Sequence, residues 1–150
     1  MEMTSSQTVP ASREDTWRAL NDPETLKACI PGCESLEKVS DTEYQVAMRA
    51  KVGPVNARFR GRMTLADLNP PESYTILFEG QGGVAGFAKG NARVNLVPEG
   101  EGATRLEYVA SAQVGGKLAQ VGSRLIDGAA QKMANQFFSA FVERVGGQTE

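Results

Sequence analysis

The chain has 150 residues, a length that fits one domain. Its hydrophobic content of 41% and charged content of 23% disfavour disordered, collagen-like and coiled-coil classes. The net charge of −2 gives no overall field that attracts nucleic acid, which is therefore not an expected partner.

Several kinds of chemistry are disfavoured by residue usage. The chain contains no histidine, so it lacks the commonest general base and the commonest zinc ligand, and no metal site is expected. Cys29 and Cys33 do not have the C-x-x-C redox spacing, and we expect free thiols. No signal peptide and no membrane-spanning apolar stretch are visible, which predicts a cytoplasmic location.

The N-terminal part predicts one strand followed by two short helices. Residues 2–9 form the strand, and Ser12 has the residue type and position of a helix N-cap, with acidic residues in the next turn. This helix should end at Leu20. Asp22 caps a second helix, which should end at about Ala28.

From residue 34 to 114 the pattern changes to strands, and one hairpin can be checked internally. Gly53-Pro54 supplies its turn, and apolar and polar residues alternate on both sides. A two-residue turn sets the register of the whole hairpin. It predicts that Ala50 faces Ala57, Met48 faces Phe59 and Arg49 faces Arg58.

The remaining strands follow turn signals. Pro70-Pro71 predicts a turn, residues 80–86 predict a glycine-rich loop, and residues 98–102 predict another turn. The loop lacks the phosphate-binding sequence G-x-x-x-x-G-K-[ST], and it joins two strands. We interpret it as a lid, with Val84 and Phe87 at the rim of a pocket.

After Gly115-Gly116 the apolar period becomes 3.6, which predicts one amphipathic helix of about seven turns. Such a helix must lie across the inward face of the sheet. The predicted fold is therefore α+β, with a curved antiparallel sheet of about seven strands around a long C-terminal helix. Residues 1–145 form the domain and residues 146–150 a flexible tail. The apolar stripe comprises Leu118, Val121, Leu125, Ala129, Met133, Phe137 and Phe141, opposed by Gln120, Arg124, Asp127, Gln131, Asn135 and Glu143.

The inward face of the sheet is apolar but small in side-chain volume. Either the helix approaches closely over these small residues, or the missing volume leaves a cavity. In a helix, Gly122 and Gly128 each cost about 1 kcal/mol relative to alanine, which indicates either open space or the close approach of another element at these positions. The expected lining of a cavity is Phe59, Met63, Phe78, Tyr108, Leu118, Val121, Leu125, Met133 and Phe137, which suits an aromatic or isoprenoid ligand.

A basic patch is predicted on the outward face of two neighbouring strands. It is either a solvated face that discourages edge pairing or a docking surface for an acidic protein or an anionic membrane. Interleaved aromatic residues, which would stack bases, are missing from it. The patch consists of Arg49, Lys51, Arg58, Arg60 and Arg62.

The element order resembles the helix-grip fold of the START-like SRPBCC superfamily, and within it the CoxG family of carbon monoxide dehydrogenase proteins. Three segments carry the resemblance: Ile30-Pro31-Gly32-Cys33, Gly86-Phe87-Ala88-Lys89-Gly90, and Val114 to Ile126, VGGKLAQVGSRLI. The resemblance extends over essentially the whole chain, and the last segment is the most specific.

This resemblance implies a non-catalytic accessory protein of aerobic molybdenum carbon monoxide dehydrogenases, associated with their recruitment to the inner face of the cell membrane. Together with the cavity, it suggests a carrier for a quinone, most simply menaquinone. A ligand-independent assembly factor that uses the basic patch is the alternative. A cyclase-like enzyme of the same superfamily is a third possibility, and its candidate residues would be Tyr44, Tyr74 or Tyr108.

Overall fold

The computed structural model describes residues 1–148 and contains seven strands and four α-helices. A single 3-10 turn, Gly83–Ala85, lies between β5 and β6. The strands are β1 Glu2–Val9, β2 Cys33–Ser40, β3 Glu43–Val52, β4 Val55–Asn69, β5 Ser73–Gln81, β6 Phe87–Pro98 and β7 Thr104–Gly115. The helices are α1 Arg13–Leu20, α2 Pro23–Cys29, α3 Lys117–Gln120 and α4 Ser123–Gln148.

The local signals at the first two helices are confirmed. The Ser12 side chain accepts a hydrogen bond from the backbone N–H of Asp15 at 3.2 Å, as an N-cap should. Asp22 occupies the cap position of α2, where its carboxylate accepts a hydrogen bond from the Thr25 hydroxyl at 2.7 Å. Both helices therefore begin where side-chain oxygens can satisfy groups of the first turn.

All strands belong to one antiparallel sheet in the order β1-β7-β6-β5-β4-β3-β2. The predicted hairpin register is confirmed, since Ala50 pairs with Ala57, Met48 with Phe59, and Arg49 with Arg58. The alternation of apolar and polar residues was sufficient to predict this register, because a shift of one residue would turn every apolar side chain to the other face. The curved sheet, two short helices and long C-terminal helix agree with the predicted fold class.

The prediction of one continuous C-terminal helix is wrong. It is broken after α3, because Gly122 has φ +95°, a backbone conformation outside the right-handed helix. The N–H groups of Val121 and Gly122 bond to carbonyls three residues earlier, at Leu118 and Ala119. The 26-residue helix α4 then starts at Ser123. The predicted tail comprises residues 146–150. Residues 146–148 belong to α4, and residues 149–150 lie outside the described chain.

The closely packed core occupies one end of the molecule. There, α1, α2 and the C-terminal half of α4 cover the sheet, with Phe141 and Val145 fully buried on α4. Trp17 of α1 meets Tyr74 of β5 edge to face, with ring centroids 5.0 Å apart. We call this part the closed end. Its buried apolar residues include Val9, Leu20, Leu26, Leu36, Tyr44, Leu65, Tyr74, Val94, Leu96 and Leu106.

Candidate ligand cavity

The other end of the interior, which we call the open end, is not closely packed. Inward-facing residues of the strands are only partly buried there, although their side chains point away from the outer surface. In a close-packed interior, such residues would lose nearly all solvent contact. The partly exposed inward residues are Met48, Ala50, Ala57, Phe59, Gly61, Phe78, Ala88, Gly90, Ala92, Ala112 and Val114.

The position of α4 explains this exposure. Its backbone lies close to α2 and to strands β1 and β3, and farther from the backbones of β4 to β7. The helix therefore spans the curved sheet without resting on its central strands. Because those strands carry small side chains at the open end, the space beneath α4 is left unfilled.

A cavity of about 480 Å³ opens between the N-terminal half of α4 and the ends of β6 and β7. This volume lies within the range of roughly 300–1,000 Å³ that is usual for small-molecule sites. Two polar side chains, Ser123 and Asp127, lie at its mouth. The apolar stripe predicted that they lie on or near the outward face of the helix. The other lining residues are Met1, Phe87, Ala112, Gln113, Val114, Ala119 and Ile126.

Three of the predicted lining residues, Met63, Tyr108 and Phe137, belong to the packed interior and are not among the residues that line this cavity. Met63 and Phe137 are partly buried and pack against the core. Tyr108 is only 7% exposed and stacks on Phe138, with ring centroids 5.3 Å apart. Phe137 also meets both Phe138 and Phe141, so these rings form one aromatic cluster within the core.

Phe59 of β4 and Phe78 of β5 lie on the central strands, and neither lines the 480 Å³ cavity. A Cβ built on Gly82 would come within 2.6 Å of the Phe59 ring, so the glycine-rich segment lies directly against that ring. A Cβ on Gly90 would lie 2.9 Å from Cζ of Phe78. The absence of side chains at these glycines therefore lets backbone pack against both rings.

The remaining predicted residues lie at the open end, with different degrees of exposure. Val84 is 84% exposed, Leu125 48% and Phe87 39%, whereas Leu118 is buried. Leu125 and Val121 contact the β3–β4 turn, since a Cβ on Gly53 would lie 3.1 Å from Leu125 Cδ1. Met133 is 37% exposed on α4. A ligand-binding role for these residues stays a prediction.

The glycines of the sheet are explained by close approach of neighbouring strands and not by a need to leave space for a ligand. A Cβ on Gly61 would collide with the carbonyl oxygen of Glu79, and one on Gly90 with that of Ser111. These positions need glycine because neighbouring strands approach too closely for any side chain. In contrast, a Cβ on Gly122 or Gly128 would meet nothing within 4 Å. The helix glycines therefore border open space, and close approach is not their explanation.

The predicted basic patch faces outward but is partly neutralised. Arg58 Nε donates to a carboxylate oxygen of Glu34 at 2.6 Å, and Arg62 pairs with Glu79 at 2.6 Å and Glu43 at 3.5 Å. The hydrogen bond from Arg58 lowers the pKa of the Glu34 carboxyl, and the charges of Arg49 and Arg60 act in the same direction. The patch therefore presents less free positive charge than its sequence indicates.

A larger groove of about 810 Å³ crosses the outer face of the sheet. Charged side chains line much of it, including Arg62, Glu79 and Lys89, with the exposed Leu77 among them. An apolar ligand placed there would remove solvent from these charges without replacing their hydration. The cavity beside α4, whose lining holds Asp127 as its one charged side chain, is therefore the better candidate for an apolar ligand.

The tyrosines considered for catalysis are poorly placed. Tyr44 and Tyr74 are buried at the closed end, and burial raises the pKa of both hydroxyls. The Tyr44 hydroxyl donates to the carbonyl oxygen of Asn21 at 3.1 Å, so it already has a structural partner. Within residues 1–148, no cluster of three or more acidic or cysteine side chains could hold a metal ion.

Comparison with known proteins gives both a family and structural relatives. Residues 6–146 match the family model of the carbon monoxide dehydrogenase protein CoxG. The crystal structure of a conserved protein from Geobacillus kaustophilus is 30% identical, with a TM-score of 0.91, covering 98% of this chain and 96% of that one. No curated protein sequence matches.

More distant structures share the fold. A START superfamily protein from Mycobacterium smegmatis is 15% identical, with a TM-score of 0.75 and 98% of each chain covered. The Zhui aromatase/cyclase from Streptomyces sp. R1128 is 12% identical, with a TM-score of 0.72, covering 100% of this chain and 96% of that one. As for membrane spans, none of the helices in residues 1–148 is long and apolar enough to cross a bilayer.

Proposed function

This chain belongs to the CoxG family of carbon monoxide dehydrogenase proteins, and from that premise we propose that it is a non-catalytic carrier of an apolar small molecule. The ligand is a quinone, most simply menaquinone. The chain moves it between the membrane and an aerobic molybdenum carbon monoxide dehydrogenase, which must pass its electrons on.

The observation that carries this proposal is the set of inward apolar side chains that keep solvent contact at the open end. Apolar surface in contact with water costs about 25 cal/mol per Å² relative to a buried state. A ligand that fills the space removes this cost without rearranging the closed end. The cavity is thus suited to an apolar ligand.

The residues around the space fit a quinone in particular. We expect the fused ring to stack on Phe59, Phe78 or Phe137, which lie beyond the cavity lining, and the isoprenoid chain to lie against Met63. At the mouth, the Ser123 hydroxyl offers a hydrogen bond to a quinone carbonyl oxygen. An apolar wall with a few polar groups at the rim is the usual composition of small-molecule sites.

A carrier role also agrees with the lack of convergent reactive groups. Tyr44 and Tyr74 are buried with raised pKa values, and Asp127 is the only carboxylate on the cavity lining described above. General acid–base catalysis needs a positioned donor and acceptor within hydrogen-bond reach of the reacting atoms. The superfamily's cyclase activity is therefore the weaker proposal for this chain.

Lipid extraction tests the carrier directly. The chain is purified from a quinone-producing host without detergent, extracted with organic solvent, and the extract is analysed by mass spectrometry. We expect a quinone at close to one molecule per chain. Ala112→Leu, which narrows the cavity, should lower that amount at least tenfold, whereas Lys38→Glu on the exposed face of β2 should leave it unchanged. Equal loss in both variants, or no ligand in the wild type, would contradict the proposal.

A further inference from the structure

Three segments meet at the open end, where the cavity has its mouth. They are the β3–β4 turn at Gly53-Pro54, the 3-10 segment Gly83–Ala85, and the β7–α4 connection from residue 115 to 122. The turn lies against Leu125, while Gly86 packs so closely on Gly115 and Gly116 that no Cβ fits between them. These contacts place the tips of the three segments side by side around one opening.

The tips expose large apolar side chains. Val84 is the most exposed large hydrophobic residue of the described chain at 84%, and Leu125 and Phe87 follow at the same end. Leu125 and Phe87 are partly covered by the chain but keep 48% and 39% of their surface exposed. Exposed apolar side chains grouped at one site usually mark an interaction surface, whereas scattered ones do not.

Positive charge predominates at the open end, although Asp127 lies at the cavity mouth and Glu34 pairs with Arg58. Residues 50–60, 80–90 and 114–126 contain no acidic residue, although the chain has 18 of them. Among their cations, Lys51, Lys89, Lys117 and Arg124 form no ion pair within the described chain. Helix α4 begins here as well, so the positive end of its dipole has the same sign. The six cations of these segments are Lys51, Arg58, Arg60, Lys89, Lys117 and Arg124.

We propose that the open end docks on an anionic bilayer, with Val84, Phe87 and Leu125 inserted at the interface and the unpaired cations on the lipid headgroups. Apolar side chains surrounded by cations are the arrangement with which peripheral proteins bind anionic membranes. The surface shares Lys51, Arg58 and Arg60 with the outer sheet patch but leaves out Arg62, which is paired with Glu79. In this orientation the mouth of the cavity faces the hydrocarbon, so an apolar ligand enters without crossing water.

This inference rests on the proposed carrier function, because only a carrier needs its mouth at the membrane. The test is co-sedimentation of the full chain with two kinds of vesicle, one of phosphatidylcholine alone and one containing about a third phosphatidylglycerol. We expect binding to the anionic vesicles only, reduced by high salt because the headgroup contacts are screened. Absence of binding by the wild-type chain would overturn the docking surface.

Matched variants locate the surface. Val84→Asp should weaken binding to anionic vesicles at least tenfold, since burial of one aliphatic side chain accounts for about that much affinity. Leu68→Asp is the control, because Leu68 is 42% exposed at the other end of the molecule. Likewise, Lys117→Glu should weaken binding while Lys38→Glu should not. Equal effects within either pair would overturn the proposal.

The quinone content of the same preparations separates the two proposals. Val84→Asp protein that keeps its quinone but does not bind vesicles supports the docking surface. Wild-type protein that carries quinone but ignores vesicles refutes docking and leaves the carrier intact. Protein that binds vesicles through Val84 yet never holds a quinone supports docking and refutes the carrier. Thermal unfolding followed by circular dichroism checks that every variant is folded.

Discussion

Ala112→Leu is the substitution that distinguishes an open interior from a packed one. Ala112 lies on the inward face of β7, pairs with Gly90, and lines the cavity. Leucine adds three carbon atoms, each worth about 0.8 kcal/mol when buried. In a filled core the same enlargement costs about 1–3 kcal/mol, because neighbours must move. At Ala112 the added atoms enter empty space, so we expect a change in the free energy of unfolding of less than about 0.5 kcal/mol.

The matched control is Ala11→Leu at the closed end. Ala11 is buried within the core cluster, so the larger side chain should cost the full 1–3 kcal/mol or so. In a chain of this size each kcal/mol lowers the melting temperature by about 2–4 °C. Urea and thermal unfolding of delipidated protein measure both effects. If Ala112→Leu destabilises as much as Ala11→Leu, the space under α4 is packed and the cavity argument is wrong.

Two further predictions concern backbone and burial. Gly128→Ala should stabilise the chain by about 0.5–1 kcal/mol, since a Cβ there meets nothing within 4 Å. Gly122→Ala should destabilise the chain because φ of Gly122 is +95°. Urea unfolding that ranks the two variants otherwise would refute this. Burial raises the pKa of Tyr44 and Tyr74, so their contribution to stability is present below about pH 10 and is lost as the pH rises towards the folded values. The tyrosinate absorbance of Tyr74, identified as the part that Tyr74→Phe removes, should therefore appear only as helical circular dichroism is lost. Its appearance near pH 10 in folded protein would contradict the burial argument.

Much of the fold could be predicted because its signals are local. The β3–β4 register followed from one turn and one alternation, and the first helix from one capping residue, Ser12. The break at Gly122 was missed because the apolar stripe runs through it without interruption. Because a single glycine within a helix costs only about 1 kcal/mol, the presence of Gly122 in the stripe did not predict its positive φ.

The site was less predictable because it depends on distances between elements. The small sheet residues suggested missing volume, yet Gly61 and Gly90 are required by close strands. Asp127 was assigned to the outward face, yet it lines the cavity, which lies between α4 and the ends of two strands. The ion pair of Arg58 with Glu34 depends on where β2 lies, which no local pattern indicates.

The most direct test of the carrier is transfer from membranes. Delipidated chain is incubated with vesicles that contain menaquinone, the vesicles are removed by centrifugation, and the quinone left in solution is measured against protein. The account predicts close to one soluble quinone per chain for the wild type and at least tenfold less for Ala112→Leu. Soluble quinone no higher than in a protein-free control would contradict it.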